Sequence, residues 1–68
     1  LKSIANRLRI LRENAELSLD VLARDINYPD IQIKAWETDQ ILPPIEAIKL
    51  LAIYFDVAVD WILTGEQI

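Results

Sequence analysis

Apolar residues recur along this chain at intervals of three and four, and never as a sustained alternation, so the pattern reads helix throughout. Ile4, Leu8, Leu11 and Ala15 mark one stripe of a first helix over residues 3–15, with Arg7, Arg9 and Arg12 assigned to other faces. Ser18 can accept a hydrogen bond from the following turn and open a second helix through Leu22, Ala23 and Ile26. Asn27 marks a corner, because its short amide tolerates the left-handed conformation that ends many helices. Pro29 fixes φ for a new start, and "DIQIKAWE" supplies a third helix of two turns with Ile33 and Trp36 on one side. A loop, "TDQILPP", leads to a fourth helix, "IEAIKLLAIYF", whose predicted inner stripe is Ile45, Ile48, Ala52 and Phe55. A short fifth helix, "DWILTG", is closed by Gly65, the only glycine. The expectation is an all-α fold of five short helices in one domain spanning residues 1–68, without repeats or low-complexity segments.

The 53% hydrophobic content is enough for a core even at 68 residues. Cysteine and histidine are absent, which excludes disulfides, thiolate zinc sites and His-based catalysis and fits a reducing cytoplasm. Asp20, Asp25, Asp30, Asp39, Asp56 and Asp60 are scattered without calcium-loop spacing. No metal site, cofactor, small-molecule substrate or enzyme activity is therefore expected. No apolar run approaches the roughly 20 residues of a membrane span, so no membrane association is expected. The chain starts at Leu1 rather than Met, which makes it a candidate piece of a longer protein.

Charge sharpens the picture. A net charge of −4 argues against strong non-specific polyanion binding, which draws on Lys and Arg neutralising phosphates. Yet residues 1–16 carry a net +2, while the remainder holds three basic and nine acidic side chains. Any nucleic-acid contact must be local.

The stretches "RLRILRENAELSLDVLA", "IKAWE", "AIKLLAIYFDV" and "DWILTGE", with a proline after the loop, resemble the Cro/C1-type, phage-repressor-like (XRE) helix-turn-helix domain over roughly residues 4–66. The resemblance implies a lambda-repressor-like DNA-binding fold whose second and third helices form the helix-turn-helix, the third entering the major groove of double-stranded DNA. It places Asn27, Tyr28, Asp30, Ile31, Gln32, Lys34, Thr38 and Gln40 at or beside DNA-facing positions. It also pairs Arg12 with Glu37 as a salt bridge between the first and third helices, and packs Ile33 and Trp36 inward. Departures from the family pattern are concentrated at caps and contacts. Asn27 replaces the usual turn glycine, and Leu19 a glutamine that commonly touches phosphate. Pro29, Pro44 and Ala58 stand where serines usually open the third, fourth and fifth helices.

These substitutions define two function classes. The first is a sequence-specific, repressor-like transcriptional regulator, reading a palindromic site as a homodimer. Gln32 and Lys34 can then read adenine and guanine or bind phosphate, Ile31 can meet a thymine methyl, and Thr38 and Gln40 can anchor the backbone. Asp30 is acceptable there only opposite a donor such as cytosine N4. The alternative is a degenerate helix-turn-helix used as a protein–protein interaction module, favoured by the acidic and apolar character of the third helix. Simple surface roles are the competing reading for Gln32, Lys34, Arg7 and Arg9, and a core role for Leu19, Trp36 and Trp61. Trp61, Ile62, Leu63 and Ile68 form an apolar cluster in the last ten residues, expected to supply a two-fold dimer interface.

Overall fold

Both serines that precede an apolar helical stripe act as caps in the computed structural model, which describes residues 3–66. The Asn6 backbone N–H donates to the Ser3 hydroxyl oxygen (3.1 Å) at the start of α1 (Ile4–Asn14). The Val21 N–H donates to Ser18 (3.2 Å) at the start of α2 (Leu19–Ile26). Three further helices follow: α3 (Asp30–Glu37), α4 (Ile45–Phe55) and α5 (Val59–Thr64). All regular structure among the described residues is helical.

Left-handed residues do the work of stopping these helices. Asn27 sits at φ 61°, ψ 45°, the corner conformation its amide tolerates. Glu16, Asp39 and Asp56 also have positive φ, just past the ends of α1, α3 and α4, and Gly65 (φ 81°) ends α5. With one glycine in the chain, four of the five helix ends among the described residues thus turn on non-glycine residues, three of them Asn or Asp, whose short polar side chains tolerate this region better than other L-residues.

At the starts of α3, α4 and α5 the residues Pro29, Pro44 and Ala58 are extended but give no side-chain cap. The proline rings hold φ near the observed −61° and −66°, which restricts the chain ahead of two of these starts; Ala58 has no such restraint. Its φ −73°, ψ 142° lies close to the φ −77°, ψ 163° of the capping Ser18. Ala58→Ser is therefore expected to raise stability by about 0.5–1 kcal/mol in a urea titration. An unchanged midpoint would mean that the first turn of α5 does not limit unfolding.

The core is built from the inward faces of all five helices: Leu8, Leu22, Ile26, Ile33, Trp36, Ala47, Ile48, Leu51, Ala52 and Ile62 are buried, with Leu11, Leu19 and Phe55 packed against them. Leu19 therefore follows its periodicity and leans on the core. Trp36 is a core residue, 1% exposed, with its ring edge-on to Tyr28 at a centroid distance of 5.1 Å. Trp61 is half-buried against the same cluster.

Three expectations from periodicity fail. Ala15 is exposed, because α1 ends at Asn14 before the stripe completes another turn. Ile45 is 50% exposed, because it begins α4 beyond the reach of the core; Ala47 and Leu51 join Ile48 and Ala52 on the buried face instead. Arg7 is not on a solvated face at all. It is 4% exposed, donating from Nε to the Ile62 carbonyl (2.7 Å) and from Nη2 to the Leu63 carbonyl (2.9 Å). Those carbonyls lie at the negative end of α5, where a cation is favoured and the last backbone acceptors lack helical donors. Arg7 thus pins α5 to α1. The same contact explains Gly65 beyond its positive φ: a Cβ there would lie 3.2 Å from Arg7 Nη1.

Candidate nucleic-acid interface

The corner between α2 and α3 sets the presentation of α3. The left-handed Asn27 turns the chain, and the Tyr28 N–H donates back to the Ala23 carbonyl (3.1 Å), closing the end of α2. Pro29 then starts α3 directly, its carbonyl accepting from the N–H groups of Gln32 and Ile33 at 3.0 and 3.2 Å. On the inner side of α3, Ile33, Trp36 and Glu37 are all buried. Those positions are three or four apart, so a second row is forced outward. It carries Asp30, Ile31, Gln32 and Lys34, all exposed, with Ile31 at 75%.

Orientation of α3 relative to α1 is held by a charge pair. Arg12 donates from Nε and Nη2 to the two carboxylate oxygens of Glu37 at 2.8 and 2.9 Å, a two-pronged geometry, and from Nη1 to the Leu17 carbonyl at 2.8 Å. The Glu37 side chain is 5% exposed and that of Arg12 16%. The hydrogen-bonded carboxylate, partly offset by burial, raises the Arg12 guanidinium pKa further, so it stays charged under all ordinary conditions. One arginine thereby links α1, the loop after it and α3.

The remaining expected contact residues divide by what they already do. Asn27 and Gln40 are exposed; Tyr28 is half-buried with its ring engaged by Trp36. Thr38 is exposed, but its hydroxyl donates to the Lys34 carbonyl at 2.8 Å, finishing α3. A phosphate would compete for that single proton, so Thr38 is better prepared to accept than to donate. Asp30 lies in the first turn of α3, where the exposed N–H groups stabilise a carboxylate, which gives it a role independent of any ligand. Of the residues expected at a dimer interface, Ile62 is fully buried in the chain's own core and cannot also meet a partner. Trp61 is half-buried, Leu63 is 36% exposed, and Ile68 lies outside the described residues. The functional residue that periodicity missed is Arg7; its signal was its spacing, three after Ile4 and four before Leu11, which places it on the apolar stripe.

The exposed cations among the described residues are few. Arg9, Arg24, Lys34 and Lys49 sit on separate helices, with only Lys34 on α3. Arg24 stands 4.0 Å from Asp25, which in turn accepts a 2.6 Å hydrogen bond from Tyr54 and raises that phenol's pKa. No group of three or more metal-ligating side chains occurs among the described residues, and no helix there is long and apolar enough to cross a membrane.

Five helices with a two-helix corner presenting an exposed third helix define a helix-turn-helix protein. A family model described as helix-turn-helix matches residues 8–62, and the chain belongs to that family, in its XRE, phage-repressor-like branch. It is similar to the HTH-type transcriptional activator BcrR of Enterococcus faecalis, 29% identical over 62 residues, covering 91% of this chain and 30% of that protein. It is also similar to the uncharacterised HTH-type transcriptional regulator YobD of Bacillus subtilis, 35% identical over 57 residues, covering 84% of this chain and 51% of that protein. The chain therefore spans about a third to a half of the length of these relatives. Among solved structures, the P22 c2 repressor in complex with a synthetic operator superimposes with a TM-score of 0.89 over 97% of this chain and all of that one, at 20% identity. At that identity the match speaks for the fold, and it agrees with the all-α, five-helix architecture.

Proposed function

We propose that this chain is the sequence-specific DNA-binding domain of a transcriptional regulator, which lays α3 in the major groove of an operator. The observation that carries the reading is the division of α3 into two rows. Ile33, Trp36 and Glu37 are committed to the core and to Arg12, so the exposed row of Ile31, Gln32 and Lys34 is held in fixed register at a protruding corner. That row offers an apolar group for a thymine methyl, an amide for adenine, and a cation for guanine or phosphate. The P22 c2 repressor, whose fold this chain shares, is bound to an operator, and both curated relatives are named as transcriptional regulators. Reading a palindromic operator requires two copies, with their third helices about 34 Å apart.

Local charge sets the character of the binding. With one cation on α3 and few others exposed, only one to three phosphates are neutralised per chain, giving a salt slope of about −1 to −3. Non-specific affinity is then low, and specificity falls on base contacts. A mobility-shift titration against DNA flanking the protein's own gene, at low and moderate salt, tests this. A discrete complex that survives unrelated competitor DNA is expected. No shift at tens of micromolar in low salt would instead leave the interaction-module reading, for which Ile31 and Asp30 on the exposed row are the supporting features.

A further inference from the structure

The first turn of α3 sets side by side two side chains whose chemistries complement a single base edge. Asp30 and Ile31 are consecutive and exposed, and they directly follow Pro29, whose φ of −61° fixes the start of the helix. The Asp30 carboxylate has no ion pair or hydrogen bond among the described residues, although Lys34 stands one turn on at the spacing where opposite charges usually meet. Ile31 is the most exposed apolar side chain of α3, and its β-branch leaves one dominant rotamer in a helix, so its methyl groups project in a defined direction. Favourable interaction with the helix start accounts for a carboxylate at Asp30. It does not account for an isoleucine next to it on the exposed row.

In the major groove only cytosine offers a carboxylate a donor with no acceptor beside it. Guanine and thymine present acceptors, and the adenine amine adjoins N7. On cytosine the position next to the amine-bearing carbon is C5, an apolar edge. We propose that Asp30 and Ile31 read one composite feature, a cytosine amine with a pyrimidine C5-methyl group beside it: Asp30 accepts from N4, and Ile31 packs on the methyl. The methyl has two sources, the cytosine itself as 5-methylcytosine or a thymine next to it on the strand, which presents the same group in the same groove. Lys34, one turn along the helix, supplies the positive charge that eases the approach of a carboxylate to a phosphate-lined groove. With 5-methylcytosine as the source, operator affinity responds to cytosine methylation, an input that Gln32 and Lys34 do not supply. The inference rests on α3 entering the major groove, as proposed above. It assigns a base edge to the two side chains that otherwise favour a protein partner.

Selection of bound duplexes from random-sequence DNA, run with wild type, Asp30→Asn and Ile31→Ala, tests the proposal. Wild type should recover a cytosine at one position per half-site, and replacing it by another base should weaken binding at least about tenfold. With Asp30→Asn the preference at that position alone should pass from cytosine to adenine, whose N6 and N7 an amide contacts together. Duplexes of the selected site are then compared with cytosine or 5-methylcytosine at that position, and with thymine or deoxyuridine next to it. One of the two methyl groups should raise affinity about fourfold per half-site, and which one does so identifies the source. Ile31→Ala should cut that gain to under about twofold while cytosine stays preferred. Circular dichroism melts check that both variants are folded. An Asp30→Asn protein that selects the wild-type site, or a site at which neither methyl group changes affinity, would overturn the composite reading and leave the DNA-binding function standing. Recovery of no sequence by wild type would overturn both together.

Discussion

Arg12→Ala should remove a large part of the domain's stability at 25 °C, and Glu37→Ala should destabilise it less. A buried ion pair is costly to break because the surviving member keeps its desolvation penalty without its partner, typically about 3–5 kcal/mol. The two survivors differ here. Glu37, left alone, has a side chain 5% exposed and loses both of its guanidinium hydrogen bonds. Arg12, left alone, keeps the Leu17 carbonyl and, at 16% exposed, can turn its free donors to water. A penalty near the upper end for Arg12→Ala removes about half or more of the stability of a domain this size, roughly 3–10 kcal/mol. Glu37→Ala should cost closer to 2–3 kcal/mol, in the range of a lost charged hydrogen bond. Paired replacement by Arg12→Met and Glu37→Leu removes both charges together and should be milder than Arg12→Ala alone. Urea titrations of the four proteins decide it. If Glu37→Ala were the more damaging single change, the guanidinium rather than the carboxylate would be the group that cannot do without its partner.

The fold was legible where one period governed both local structure and burial. Leu22, Ala23 and Ile26 recur at helical spacing and are buried; "DIQIKAWE" becomes α3 with the same bounds because Pro29 can only start it and Glu37 is its last inward residue. Legibility failed where a residue's type concealed its place. Arg7 occupies a core position by spacing, yet a charged side chain is assigned to solvent unless its partners are known, and these are backbone carbonyls 55 and 56 residues away. No local pattern encodes that contact. Ile45 failed in the other direction: its period was right, but it is the first residue of α4, and the buried face of that helix begins only at Ala47 and Ile48. The Arg12–Glu37 pair was implied by family resemblance alone, since nothing in the spacing of residues 25 apart joins them. The α3 surface row was recoverable from the burial of Ile33 and Trp36, whereas the use of the Thr38 hydroxyl inside the helix end was not.

DNA recognition should depend on Gln32 and Lys34 in distinguishable ways. Both side chains are exposed on α3, and the core commitment of Ile33 and Trp36 on either side fixes where they emerge. A bidentate amide–adenine contact discriminates by about 1–3 kcal/mol, so Gln32→Ala should weaken operator binding by about ten- to a hundredfold while leaving non-specific binding intact. The affinity lost should be confined to one base position per half-site. Lys34 has two possible targets, and the salt dependence separates them. On phosphate, Lys34→Ala lowers affinity for all sequences alike and makes the salt slope shallower by about 0.9 per chain. On guanine, it relaxes one base position and leaves the slope almost unchanged. Neither substitution touches the core, so thermal stability should stay within about 0.5 kcal/mol of wild type, and lost binding cannot be ascribed to unfolding. Mobility-shift titrations at several salt concentrations, against the operator and single-position variants of it, supply all of these quantities. Unchanged affinity in both Gln32→Ala and Lys34→Ala would exclude recognition through the exposed row of α3, whatever the domain's family.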